Sequence, residues 1–267
     1  MLKMETIVNE GMVQIPSTNL LRWFLQRKNN TFIMFDTETT GLGGRGRIDQ
    51  ITQLAAIAVK FDLRTLKFNE IDRLHENIKL NDHIKDVYDN SPDIPYDATD
   101  RDVEAMMKYQ NNVKATLRFN HYDLANSANY AEEREALERF DDFIEKHSNV
   151  VLMAHNAPFD LKMIQVHEIF KTKTREIFDT VDFFKTVFFP ALESLSKENE
   201  HYRSINDRFV ANTKGKSAAM KNLISGFFSD PDEQAMLLSQ SHDAVVDCQN
   251  TLSIIEKGLA LVVNHIR

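Results

Sequence analysis

The order of apolar segments along the 267-residue chain predicts an α/β domain with a mixed central β-sheet flanked by helices. Three observations carry this. Two strand-like runs come first, at Thr31–Asp36 and Ile51–Phe61. A later run, Asn149–His155 (NVVLMAH), reads as a strand buried in the manner of a parallel sheet. The chain then ends in a long helix, because Val245, Cys248, Leu252, Ile255, Leu259 and Val262 recur every three or four residues.

Residues 1–30 read as an N-terminal appendage, with a helix start at Pro16-Ser17 and Leu20, Leu21, Phe24 and Leu25 at helical spacing behind it. Thr31–Asp36 is a short buried strand ending in an acid. A Gly-rich turn separates it from the second strand, and Leu66–Leu80 is a weaker third. From about residue 81 to 130 the chain becomes polar, with Asn and Asp throughout, Pro92 and Pro95, and a helical patch near Val103–Leu117. This segment reads as a largely helical and irregular insertion packed on the side of the core. Ala131–His147 is an amphipathic helix with Leu137, Phe140 and Ile144 on one face. Pro158 marks the next helix start, which Leu161, Ile164 and residues 166–170 continue, and Ile177–Val181 reads as a further strand. The remainder, 31–267, forms the main domain.

Composition narrows the function classes. Apolar residues make up 42% and charged residues 27%, an ordinary balance for a folded domain. With 32 basic against 40 acidic residues the net charge is −8, which excludes a purely electrostatic nucleic-acid binder. Any nucleic-acid role must rest on a local site where metal ions offset the acids. The single cysteine, Cys248, excludes an internal disulfide and a Cys-based zinc site, and its place on the apolar stripe makes it a core residue. No apolar run approaches the ~20 residues that span a bilayer, and the N-terminus has no signal-like apolar core. A cytoplasmic protein of phage or bacterial type, with no membrane partner, is the expectation.

Two apparent motifs fail on context. Gly41-Leu-Gly43-Gly-Arg-Gly46 matches GxGxxG, but a strand follows where a dinucleotide fold needs a helix. Gly215-Lys216-Ser217 resembles the end of a phosphate-binding loop, yet the glycine required five positions earlier is Val210.

Three acidic segments at the ends of buried elements do not fail. Asp36 and Glu38 lie two apart in FDTETTG, so an extended backbone points both to one side. Such a pair repels unless a cation bridges it. Asp160 closes His155-Asn-Ala-Pro-Phe-Asp160 in the first turn of a helix. Asp247 closes His242-Asp-Ala-Val-Val-Asp247, one turn into the last helix and next to Cys248 of its stripe. Each alone is ordinary: solvated acids, a helix-dipole acid, a capping segment. Together, four carboxylates and a histidine have the ingredients of two-metal phosphoryl transfer. Hard oxygen ligands suit Mg²⁺ or Mn²⁺, and a histidine can take a proton from water.

In these three segments the sequence resembles the DnaQ-like 3′–5′ exonucleases, the DEDD branch of the RNase H-like superfamily. A histidine five residues before the final Asp resembles the DEDDh subgroup; the sister branch has Tyr four before it, where Asp243 stands here. Phe178–Asp182 and Lys216-Ser217 with Leu223 resemble weaker family segments, so the likeness spans roughly 31–80 and 131–265. The resemblance implies an RNase H-like fold. It implies two divalent cations, Mg²⁺ or Mn²⁺, held by Asp36, Glu38, Asp160 and Asp247, with His242 as general base. It also implies hydrolysis from a single-stranded 3′ end to nucleoside 5′-monophosphates. Thr39 matches the position whose backbone meets the terminal 3′ hydroxyl. Asn156 and Phe159 match positions lining the terminal nucleotide's pocket, although Phe159 also reads as a core-facing residue at a helix start. The expected substrate is DNA; the alternatives are RNA 3′ ends or a non-catalytic module docked on a polymerase or replication protein. Arg45, Arg47, Lys214, Lys216 and Lys221 are candidate phosphate contacts.

Overall fold

Five strands form one sheet in the order β3-β2-β1-β4-β5, as seen in a computed structural model that describes residues 20–41, 49–110, 112–165, 176–211 and 216–263. A short helix, α1 (Leu20–Gln26), leads into β1 (Thr31–Thr39). β2 (Ile51–Asp62) and β3 (Lys67–Asn77) follow as an antiparallel meander. Next come α2 (Asp82–Asn90), α3 (Asp100–Gln110), α4 (Val113–Phe119), a 3₁₀ helix (Leu124–Asn129) and α5 (Glu133–Glu145). β4 (Val150–Ala154), α6 (Ala157–Gln165) and β5 (Glu176–Asp179) complete the sheet, with β1, β4 and β5 parallel. The chain continues through α7 (Thr180–Phe183), a π-helical turn (Phe184–Phe188) and α8 (Phe189–Glu198). The last helices are α9 (Glu200–Ala211), α10 (Met220–Phe227), α11 (Pro231–Ser239) and α12 (Ala244–Val263). The mixed sheet flanked by helices is the predicted fold class.

Because side chains alternate across a strand, β1 feeds two cores. Phe32 and Met34 join Ala55, Ile57, Val151 and Met153 under α12, which contributes Cys248, Leu252, Ile255 and Leu259. Ile33 and Phe35 face the other way, onto Leu137, Phe140 and Ile144 of α5 and Ile164 of α6. Cys248 is the core residue expected: its Sγ lies 3.7 Å from the Met34 carbonyl and 3.9 Å from that of Ala55, where α12 crosses the sheet.

Two boundaries differ from the sequence reading. The appendage of 1–30 does not stand apart over its described portion. Trp23 and Phe24 are buried among Phe32, Phe61 and Phe178, and the Trp23 indole donates to Glu176 at 3.1 Å. β5 ends at Asp179 rather than Val181, because the Asp179 carboxylate accepts from the Val181 amide at 2.9 Å and starts α7. Around the segment read as an insertion, the chain leaves the sheet at Ile78 and returns beside it at Ala131, where the two residues bridge. Between them α2, α3 and α4 form two small cores of their own, one around Ile84, Val113 and Leu117 and one around Val103, Met107 and Ala115. Among the described residues no helix is long and apolar enough to cross a membrane.

Candidate active site

The acids gather at the end of β1 where it meets α6 and α12. Alternation sends Asp36 and Glu38 to the α12 side of the sheet, after Phe32 and Met34. Thr37 faces the opposite side and holds Asp160. Its amide and its hydroxyl both donate to Asp160 Oδ1, at 3.0 and 2.7 Å. Asp247 enters from the first turn of α12, whose start is fixed twice. The Asp243 carboxylate caps the amides of Val245 and Val246 at 3.0 and 3.1 Å, and Gln53 Oε1 of β2 accepts from the Ala244 amide at 3.2 Å.

The charges are unbalanced. Burial, then Asp160, Glu38, Asp247 and Asp243, hold the Asp36 carboxyl well above the usual carboxylate range. Glu38 is raised in the same way, by burial and then by Asp247, Asp160 and Asp243. Burial pushes Asp160 up to about 7 against the lowering effect of its Thr37 hydrogen bonds. It pushes Asp247 up to about 6, opposed by the hydrogen bond from the His242 amide. Every charged group that bears on Asp36 and Glu38 is another carboxylate.

His242 sits at the mouth of this cluster in a left-handed backbone conformation, φ 68°. Its amide donates to Asp247 Oδ2 at 3.1 Å, which turns the residue over the acids. Its Nδ1 lies 3.9 Å from Glu38 Oε1. Burial first, then the neighbouring His121 and Lys108, lower its pKa to about 4 against the opposing pull of Glu104, so the imidazole is neutral and able to accept a proton.

The donor set fits divalent cations. One ligand atom each from Glu38, His242 and Asp247 lie within 4.8 Å of one another. Asp247 Oδ1 is buried without a hydrogen-bond partner, an acceptor that a cation would satisfy. Carboxylate oxygens match Mg²⁺ or Mn²⁺, and the five predicted residues are the ones brought together.

The three residues predicted for the substrate flank the acids. Thr39 is buried at the end of β1, and its carbonyl accepts from Asn120 Nδ2 at 2.9 Å. Asn156 is exposed, with φ 69°, and its amide donates to Asp179 Oδ1 at 3.1 Å. Phe159 is half-buried and packs against the α5 side of the core, consistent with its core-facing reading. Of the candidate phosphate contacts, Lys216 pairs with Glu193 at 3.2 Å and Lys221 is exposed. Arg45, Arg47 and Lys214 lie outside the described residues, as does Gly43–Gly46 of the GxGxxG match; the element after that turn is β2, a strand. Sequence reasoning missed Thr37, Asp243, and two residues of the insertion, Phe119 and Asn120. The Phe119 ring lies 4.1 Å from that of His242. Asp243 alone had a local signal, since it stands at the capping position before an apolar stripe.

Escherichia coli exonuclease I bound to an oligonucleotide has this architecture: TM-score 0.54 and 16% identity over 89% of this chain and 42% of that one. Its apo form gives the same TM-score and identity over 43% of its length. The fold is that of exonuclease I. No family model matches the sequence. A PolC-type DNA polymerase III from Staphylococcus saprophyticus is 26% identical over 192 residues, covering 67% of this chain and 11% of the polymerase. The chain thus spans less than half of either protein.

Proposed function

We propose that the protein is a metal-dependent 3′–5′ exonuclease that hydrolyses single-stranded DNA to nucleoside 5′-monophosphates. The observation that carries this is the convergence of Asp36, Glu38, Asp160 and Asp247 beside a neutral His242. Four acids with raised pKa values and an unpaired Asp247 oxygen make a poor site without cations and a good one with them. Two divalent ions bound there would supply the positive charge that stabilises the attacking and leaving oxygens of an in-line displacement.

The chain's own residues divide the remaining work. The four carboxylates hold the ions, with Thr37 fixing Asp160. His242 takes the proton of the attacking water on a ring nitrogen, which its neutral state permits. The Thr39 backbone receives the 3′ hydroxyl, and Asn156 and Phe159 border the terminal nucleotide, Phe159 through its exposed part. DNA is the favoured strand, because exonuclease I of this fold is known bound to single-stranded DNA. The likeness to a PolC-type DNA polymerase III supports a DNA polymerase as partner.

A gel assay tests the reading. It uses 5′-labelled DNA and RNA of one sequence with Mg²⁺, Mn²⁺ or EDTA, and Asp36→Ala as control. A metal-dependent ladder shortening from the 3′ end, absent in the control and stronger on DNA, is expected. Preference for RNA would make the protein an exoribonuclease. Absence of cleavage on both strands would leave a non-catalytic docking module.

A further inference from the structure

We propose that Phe119, at the end of α4 in the insertion, is a positioning residue for catalysis. Its ring sets the orientation in which His242 meets the attacking water. The inference rests on the exonuclease reading above and assigns the insertion a part in that site.

The backbone and the ring of His242 are held by different means. Its backbone is fixed, since φ 68° and the amide bond to Asp247 leave the main chain one conformation. Its ring is not fixed by the same means. At 3.9 Å from Glu38 Oε1, Nδ1 is beyond hydrogen-bond length. With 43% of its side chain exposed, an imidazole in this place is free to rotate unless something packs on it. Phe119 does so, with ring centroids 4.1 Å apart and planes inclined by 41°.

Phe119 is itself well anchored. The Asn112 side chain caps α4 by accepting from the Ala115 amide at 3.1 Å and donates to the Pro92 carbonyl at 2.8 Å. The helix buries Val113, Ala115 and Leu117, and Phe119 packs on the cluster of Val103, Met107 and Ala115. The chain is tied to the sheet on its far side as well. Asn120 Nδ2 donates to the Thr39 carbonyl at 2.9 Å, and the Tyr122 hydroxyl donates to the Ile78 carbonyl at 3.0 Å. One side of the Phe119 position is therefore braced by the insertion and the other by the end of β1, which carries Asp36 and Glu38. The ring against His242 is thereby registered to the carboxylates rather than to a free loop. Catalytic groups need placement to within ~0.5 Å, and an error of ~1 Å lowers rates up to ~10²-fold.

Phe119→Leu and Phe119→Tyr test this on a single-stranded oligonucleotide with Mg²⁺. Leu keeps the apolar packing but not the flat ring; Tyr keeps both. Phe119→Leu should lower the single-turnover rate ~10- to 10²-fold with KM nearly unchanged, and Phe119→Tyr should restore it. A wild-type rate in Phe119→Leu, or a loss confined to KM as for a base-stacking surface, would overturn the proposal. A second measurement needs neither a variant at Phe119 nor an active enzyme. In the metal-free wild-type protein, nuclear Overhauser contacts should join the rings of Phe119 and His242, the latter assigned through His242→Gln. Their absence would also overturn it. If wild-type protein degraded no strand with any metal, the exonuclease reading would fall. If it were active while Phe119→Leu were too, only the role of Phe119 would fall.

Discussion

The sheet and the insertion contribute to the same site in different ways. The carboxylates stand on regular elements, β1, α6 and α12, whose packing is continuous with the main core on both faces of the sheet. Among the described residues the insertion has two small cores, and it meets the site through Phe119 and Asn120, with Glu104, Lys108 and His121 also beside His242. Clustered charge requires a frame that repulsion cannot spread, and a central sheet between helix layers provides it. On the proposed reading, the group that moves a proton needs orientation rather than force, and the Phe119 ring against His242 would supply it.

The largest effect should follow from changing the frame's charges. Asp36→Ala or Asp247→Ala should lower nuclease activity ~10³-fold or more, because on the proposed reading each removes a metal ligand. The metal-free protein should not lose stability, since burial and like charges already oppose both carboxylates. Activity on labelled single-stranded DNA, with thermal midpoints in EDTA, checks both halves. A variant with normal turnover would remove its acid from the site.

The next prediction asks to which region α1 belongs. Trp23 packs with Phe24, Phe32 and Phe178 and donates to Glu176, with the Arg27 guanidinium 4.4 Å from its ring. Trp23→Ala should therefore destabilise the whole domain by ~3–5 kcal/mol, as for other buried aromatics. A much smaller loss in urea unfolding would return α1 to the periphery.

Asn120 joins the two regions. Asn120→Ala leaves the buried Thr39 carbonyl without that donor, which costs ~1–3 kcal/mol. Amide exchange sharpens the contrast. β1 and β4 should exchange only by global unfolding, whereas α3 and α4 should open at lower free energy, as small cores do. Equal protection in both would make the insertion part of the main cooperative unit.

What the sequence revealed follows the same division. The strands, the terminal helix and the five residues that gather at the end of β1 were legible because period-two and period-3.6 patterns place the elements, and because the three acidic segments are local. The helices over 180–239 were not, apart from the one around Leu223. Phe183, Phe184, Phe188 and Phe189 run together across a π-helical turn, which breaks the 3.6-residue repeat. Phe119 could not have been found, because nothing near it in the chain reports a histidine that only tertiary packing brings close. The extent of the core before β1 was hidden for a related reason: α1 is seven residues long and apolar at five of them, so no polar face marks the side that is buried.

The smallest predicted effect comes from pH. A carboxyl raised in the folded state favours folding while protonated, and that stability is lost as pH rises through its folded pKa. Asp160, at about 7, and the strongly raised Asp36 and Glu38 should therefore make the metal-free protein less stable at pH 8 than at pH 6.5. Below that window the sign is contested. His242 and His155 are both lowered to about 4, so they oppose folding increasingly as the pH falls below the ordinary histidine value. Between pH 8 and about 6.5 the carboxylates act with little interference from the histidines. From Asp160 alone the gain on acidification should be on the order of 1 kcal/mol, or about 2–4 °C for a domain of this size. Mg²⁺ should reverse the trend, because cations bind the ionised carboxylates and so stabilise the fold more at pH 8. Thermal scans at the two pH values, with EDTA and with Mg²⁺, read both signs at once. A midpoint in EDTA that rises with pH would mean that the acids are solvated rather than crowded, and the frame would then carry no stored repulsion for a metal to relieve.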